Sequence, residues 1–172
     1  MNKAVVSGMW GGLRMANGIT FRAIAAIPKD KIDAQPIKDM RTPKELVVHM
    51  YTSMRYIADG IVNGEIKWSE EVDKETCNRI KSHDDLTRYA GESWKAADRA
   101  IQSLADGQTT AMVKTPWGQD FPGFVCVSII HDEHLHHRGQ LYAFLRLFGV
   151  EPPFMWDFEH SAPEFQPQLE KV

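Results

Sequence analysis

The chain has 172 residues, 43% hydrophobic and 25% charged, with a formal net charge of −3. That length suits a single domain, residues 1–172, with a core of its own. The acidic balance argues against nucleic acid, which needs a basic surface, and no apolar run approaches the roughly 18 residues of a membrane span. The N-terminus does not read as a signal peptide. Its two cysteines, Cys77 and Cys126, lie far apart, so a reduced, cytoplasmic protein is the simpler expectation.

The pattern predicts an all-α chain of four helical segments and an irregular tail. The first runs from about Lys3 to Ile27, with Val6, Met9, Trp10, Leu13, Ala16 and Ile24 at helical spacing and Pro28 as its stop. The second has a clear start at Thr42-Pro43-Lys44-Glu45: a Thr cap, Pro at the first helical position and Glu three residues after the cap. It runs to about Val62, before Asn63-Gly64, and its inward stripe is Leu46, His49, Met50, Ser53, Met54, Ile57 and Ile61.

Residues 65–81 read as a charged, mostly irregular connection in which 71–80 has the makings of a short helix, and Cys77 as a loop residue. The third helix starts at Ser82 and runs to about Ala105, where Asp106-Gly107 stops it. Its core face is Leu86, Tyr89, Ala90, Ser93, Trp94, Ala97, Ile101 and Leu104. Thr109–Lys114 alternates weakly, as a short hairpin would, with Thr115-Pro116-Trp117-Gly118 as its turn. Pro122 opens the fourth helix, which runs to about Phe148 and stops at Gly149. The rest is an extended or irregular tail.

The chemistry concentrates on that fourth helix, in His131-Asp132-Glu133-His134-Leu135-His136-His137, between apolar flanks. Imidazoles and carboxylates in a buried helix are costly to desolvate without compensation, and a divalent metal supplies it. On a helical wheel the apolar stripe is Ile130, Leu141, Phe144 and Phe148, with His137 near its centre. Glu133 lies about 40° to one side of His137, His134 about 60° to the other, and His131 and His136 about 100–120° away. Glu133 and His137 therefore reach one interior point, and His49 offers a third ligand from the second helix. The competing readings are plain: His49 as a hydrogen-bonded core histidine, and Glu133–His137 as a helical ion pair without metal. His131 and His136 are expected on a solvated rim. Cys126, Trp10 and Trp94 are expected in the core.

The run His136-His137-Arg138-Gly139-Gln140-Leu141, its leucine-rich continuation to Gly149, and Leu46-Val47-Val48-His49 after a capped start together resemble the DinB-like family. The resemblance implies a four-helix bundle with a long crossover between helices 2 and 3, often a homodimer. It also implies a divalent metal, commonly zinc or nickel, held by three histidines, two of them four residues apart and the later one directly before Arg-Gly-Gln. Carried over, the ligands are His49, Glu133 and His137. The departure is Glu133, which stands where the family has His. A carboxylate is a competent zinc ligand and also suits manganese or iron. His134 is the substitute if Glu133 turns away. Arg138 and Gln140 are expected to make structural or supporting hydrogen bonds, and Gly139 to mark the close approach of a neighbouring helix.

Three protein ligands leave a metal position open. The resemblance therefore implies a metal-dependent enzyme acting on a small molecule, similar to thiol transferases that activate a low-molecular-weight thiol. The alternatives are a metal-dependent hydrolase, or a non-catalytic dimeric metal-binding scaffold. The connection at 65–81, the loop at 115–123 and the tail around Trp156 are the candidate walls of a route to the site.

Overall fold

The computed structural model describes residues 3–167. Four long helices carry it: α1 (Lys3–Ala25), α2 (Pro43–Asn63), α4 (His83–Ser103) and α6 (Gly123–Leu147), with two short ones, α3 (Glu70–Arg79) and α5 (Asp106–Thr110). α2 packs along α4 and α6, and α1 packs on the same two, so α1 and α2 face each other across the diagonal of a four-helix bundle.

Local chemistry sets the helix starts. Thr42 accepts from the Glu45 amide at 3.2 Å while the Glu45 carboxylate accepts from the Thr42 amide at 2.8 Å, closing the expected capping box of α2. The helix ends at Gly64, whose φ of 81° is a left-handed cap that a side chain would strain. Ser82 caps α4 by accepting from the Asp85 amide.

α2 is the central helix, buried well beyond its predicted stripe: Val47, Val48, Tyr51, Thr52 and Ala58 are also enclosed. The Trp10 and Trp94 rings stack at 5.1 Å, and the Trp10 indole donates to Asp98 at 2.7 Å, which satisfies its polar end inside the core.

Three boundaries differ from the sequence reading. Asp106-Gly107 does not end the chain's helical run but opens α5. Leu104 takes ψ 133°, breaking α4, and Gln108 Oε1 accepts from the Ala105 amide to start the new turn. The connection at 65–81 is organised by α3, so Cys77 lies in a helix and not in a loop. The hairpin is shorter and displaced: β1 (Met112–Val113) pairs antiparallel with β2 (Phe121–Pro122). A bridge between Glu65 and Lys114 then ties the α2–α3 connection to this hairpin, through Ile66 N–H to Lys114 O at 2.8 Å and Lys114 N–H to Gly64 O at 3.0 Å.

The tail folds back on α1. Arg22 holds Asp157 at 2.8 Å, and Phe165 packs on Phe21 and Trp94. Gly18 makes room for it, since a Cβ there would overlap Phe165. Among the described residues, no helix is long and apolar enough to cross a membrane.

Candidate metal centre

α2 and α6 pack side by side, and their facing surfaces bring His49, Glu133 and His137 together. One ligand atom from each lies within 4.8 Å of the other two. His137 Nε2 is 3.0 Å from Glu133 Oε2, and His49 Nε2 is 3.9 Å from the same oxygen. The two imidazole rings stand edge to face with centroids 5.0 Å apart. Atoms about 2.0–2.1 Å from a tetrahedral zinc stand roughly 3.3 Å from one another, a value bracketed by these two distances.

The far side of each ring is engaged as well. His49 Nδ1–H donates to Asp73 Oδ2 at 2.7 Å, and Asp73 Oδ1 accepts from the Trp68 indole at 3.2 Å. His137 Nδ1 lies 3.1 Å from Gln140 Oε1. A metal-bound histidine ordinarily donates its second ring N–H to a carboxylate or carbonyl, which fixes the tautomer and turns the other nitrogen toward the ion. Asp73 and Gln140 stand where such partners stand. Both nitrogens of His137 thus face acceptor oxygens, an arrangement that a proton or a cation between His137 and Glu133 satisfies. The hydrogen bond from His137 holds the Glu133 carboxyl below the ordinary carboxylate value, against the opposing effect of its partial burial, and the charges of His137 and His49 add to it. The donor set fits a divalent cation.

The other histidines of the run separate cleanly. His131 pairs with its neighbour Asp132 at 3.2 Å, and His136 is exposed, its Nε2 3.0 Å from Gln140 Nε2. Both form the expected rim. His134 is no substitute ligand: it turns toward α1, where its Nε2 sits 2.8 Å from Thr20 Oγ1, and its ring stands edge-on to Tyr51. Burial depresses its pKa to about 3, so it is neutral there.

Arg138 is buried and reaches the Ala16 carbonyl at 3.4 Å, a structural tie to α1, whereas Gln140 serves the His137 ring. Gly139 does not mark a helix approach, because a Cβ there would meet open space; nothing in the structure explains the glycine.

A cavity of about 350 Å³ opens beside His49 and Glu133, lined also by Ser53, Ile57, Trp68, Trp117 and Ile129. The connection at 65–81 and the loop at 115–123 therefore do wall the approach. Trp156 does not line it; the tail is held on α1 instead.

Asp73 and Trp68 are the residues that sequence reasoning missed. Asp73 sits in Glu70-Glu71-Val72-Asp73, one acid among several, with no periodic apolar stripe to orient it.

The chain matches the family model described as "DinB family" over residues 9–169. It is 23% identical over 139 residues to "Uncharacterized protein YjoA" of Bacillus subtilis (strain 168), covering 79% of this chain and 86% of that protein. The crystal structure of that DinB-like protein superposes with a TM-score of 0.68 at 22% identity, over 86% of this chain and 95% of the other. A DinB-like protein from Bacillus cereus ATCC 10987 superposes at 0.69 with 17% identity over the same shares. Both structures share the fold of this chain, and the model match over most of its length places the chain in the DinB family.

Proposed function

We propose that this protein is a metal-dependent enzyme acting on small molecules, of the thiol-transferase kind, with His49, Glu133 and His137 holding one divalent cation. Zinc or nickel suits the two imidazoles; the carboxylate also admits manganese or iron. The observation that carries the reading is the convergence of three donor atoms within 4.8 Å, with the far nitrogen of each imidazole engaged by Asp73 or Gln140, at the edge of an open cavity. A divalent ion at such a site supplies Lewis acidity and lowers the pKa of a thiol or water.

The chain's own residues then have distinct tasks. Asp73 fixes the His49 tautomer, Gln140 fixes that of His137, and Glu133 brings negative charge that neutralises part of the cation. Ile57, Ile129 and the two indoles exclude water from one side of the approach. Neither cysteine suits the part of nucleophile. Burial pushes the thiol of Cys77 up to about 11, with the charge of Glu45 adding to it, and burial likewise pushes Cys126 up to about 11. The thiol in such a reaction comes from a small-molecule partner.

The 3.0 Å contact between Glu133 and His137 favours one second reading, a helical ion pair in a non-catalytic scaffold. Turnover separates the two. Metal-loaded protein, assayed with a panel of low-molecular-weight thiols and a generic electrophile, should show turnover that a chelator abolishes and that Glu133→Gln loses while the helical content stays. Metal-independent turnover, or none across the panel, contradicts the enzymatic reading. We also propose, on the family resemblance alone, that the chain forms a homodimer; light scattering that finds only monomer at micromolar concentration contradicts that.

A further inference from the structure

Independently of the metal reading above, we infer that the cavity beside His49 and Glu133 is a binding site for a small, planar aromatic molecule without negative charge, held by Trp68 and Trp117. Its volume of about 350 Å³ is at the small end of small-molecule sites, roughly 300–1,000 Å³. Its walls away from the donor set are two indoles, two isoleucines and Ser53. No lysine or arginine lines it, so in the metal-free protein a carboxylate or phosphate carried by the ligand would meet no counter-charge there and would face Glu133 instead. Indole faces favour offset or edge-on aromatic partners. Ser53 donates its hydroxyl hydrogen to Met50 O at 3.1 Å, so toward the cavity it offers an acceptor only, suited to a ligand with one O–H or N–H.

The two indoles are placed by independent devices. Trp68 is anchored by its N–H to Asp73 and stands edge-on to His49 with centroids 5.5 Å apart. Trp117 sits on the hairpin loop, where its amide donates to Thr115 Oγ1 at 3.3 Å and the Thr115 hydroxyl donates to Gln119 O at 2.6 Å. The Glu65–Lys114 bridge draws the two carrying segments together. Trp117 remains 46% exposed, an apolar surface that a ligand in the cavity would cover.

The test is calorimetric titration of 4-nitrobenzyl alcohol into chelator-treated and zinc-loaded protein, beside its anionic analogue 4-nitrobenzoate. The neutral aromatic should bind both forms with a Kd below about 1 mM. Trp117→Ala should weaken it about fivefold or more, as should Trp68→Ala, while Trp156→Ala on the tail leaves it unchanged. Trp117 is outside the core, so its variant keeps the fold, which circular dichroism checks. Three results would overturn the inference: no binding to either form, 4-nitrobenzoate binding the chelated protein as tightly as the neutral alcohol, or both cavity variants binding like wild type. Protein that takes up no zinc but binds the alcohol through Trp117 sinks the metal reading and leaves this one standing.

Discussion

Asp73 shows how much a single carboxylate contributes from outside the donor set. Its two oxygens join Trp68 to His49, so it fixes both a wall of the cavity and the direction of the His49 Nε2 lone pair. Replacement of such a partner costs about 10–100-fold in metal affinity. Asp73→Asn should lose about tenfold in a chelator competition, with the fold intact because α3 buries no residue of its own; wild-type affinity would contradict the role. The cysteines make the opposite prediction. With both thiols pushed up to about 11, roughly one part in a thousand is thiolate at pH 8. Iodoacetamide should label the folded protein far more slowly than a free thiol and should label both cysteines once guanidinium unfolds it. Rapid labelling of the folded chain would return a protein thiol to the list of nucleophiles. At this scale the sequence pointed to His49, Glu133 and His137 as neighbours, because four-residue spacing puts Glu133 and His137 on one face of α6 and His49 stands on the inward stripe of α2; the structure brings their donor atoms within 4.8 Å of one another. It was silent on Asp73, because a carboxylate's partner 24 positions away leaves no local trace.

The elements were legible where local and tertiary preferences agree. Thr42, Pro43 and Glu45 each satisfy a separate requirement of a helix start, and α2 begins where they place it. Thr42→Ala should cost about 1 kcal/mol, read as a lower midpoint in urea unfolding with an unchanged slope. No measurable shift would mean that Glu45 alone holds that end. α3 was harder, because it is polar all round and exposes most of its surface; packing against α2 and the Asp73–His49 contact position it, and neither shows in a periodicity. α5 was misread for a related reason. Asp-Gly stops a helix as readily as Asp starts one, and the side chain of Gln108, directly after that pair, decides between them. Gly139 was given a packing role by general expectation, and the open space beside it corrects that.

At the scale of the molecule, the proposed ion would join α2 to α6, two helices otherwise linked by packing. A ligand that binds only the folded form stabilises it by about 2.7 kcal/mol when its concentration is 100 times its Kd, so the bundle and the site are thermodynamically coupled. The direct measurement is therefore zinc equilibrium dialysis of untagged protein, with metal counted by mass spectrometry and the thermal midpoint followed on the same samples. The account predicts one ion per chain and a raised midpoint. Both should be lost or cut at least tenfold in affinity in His49→Ala, Glu133→Gln and His137→Ala, and both should be retained in His131→Ala and His136→Ala. Protein that binds no divalent ion, or that binds it equally well without any one of the three, would contradict the account at its centre.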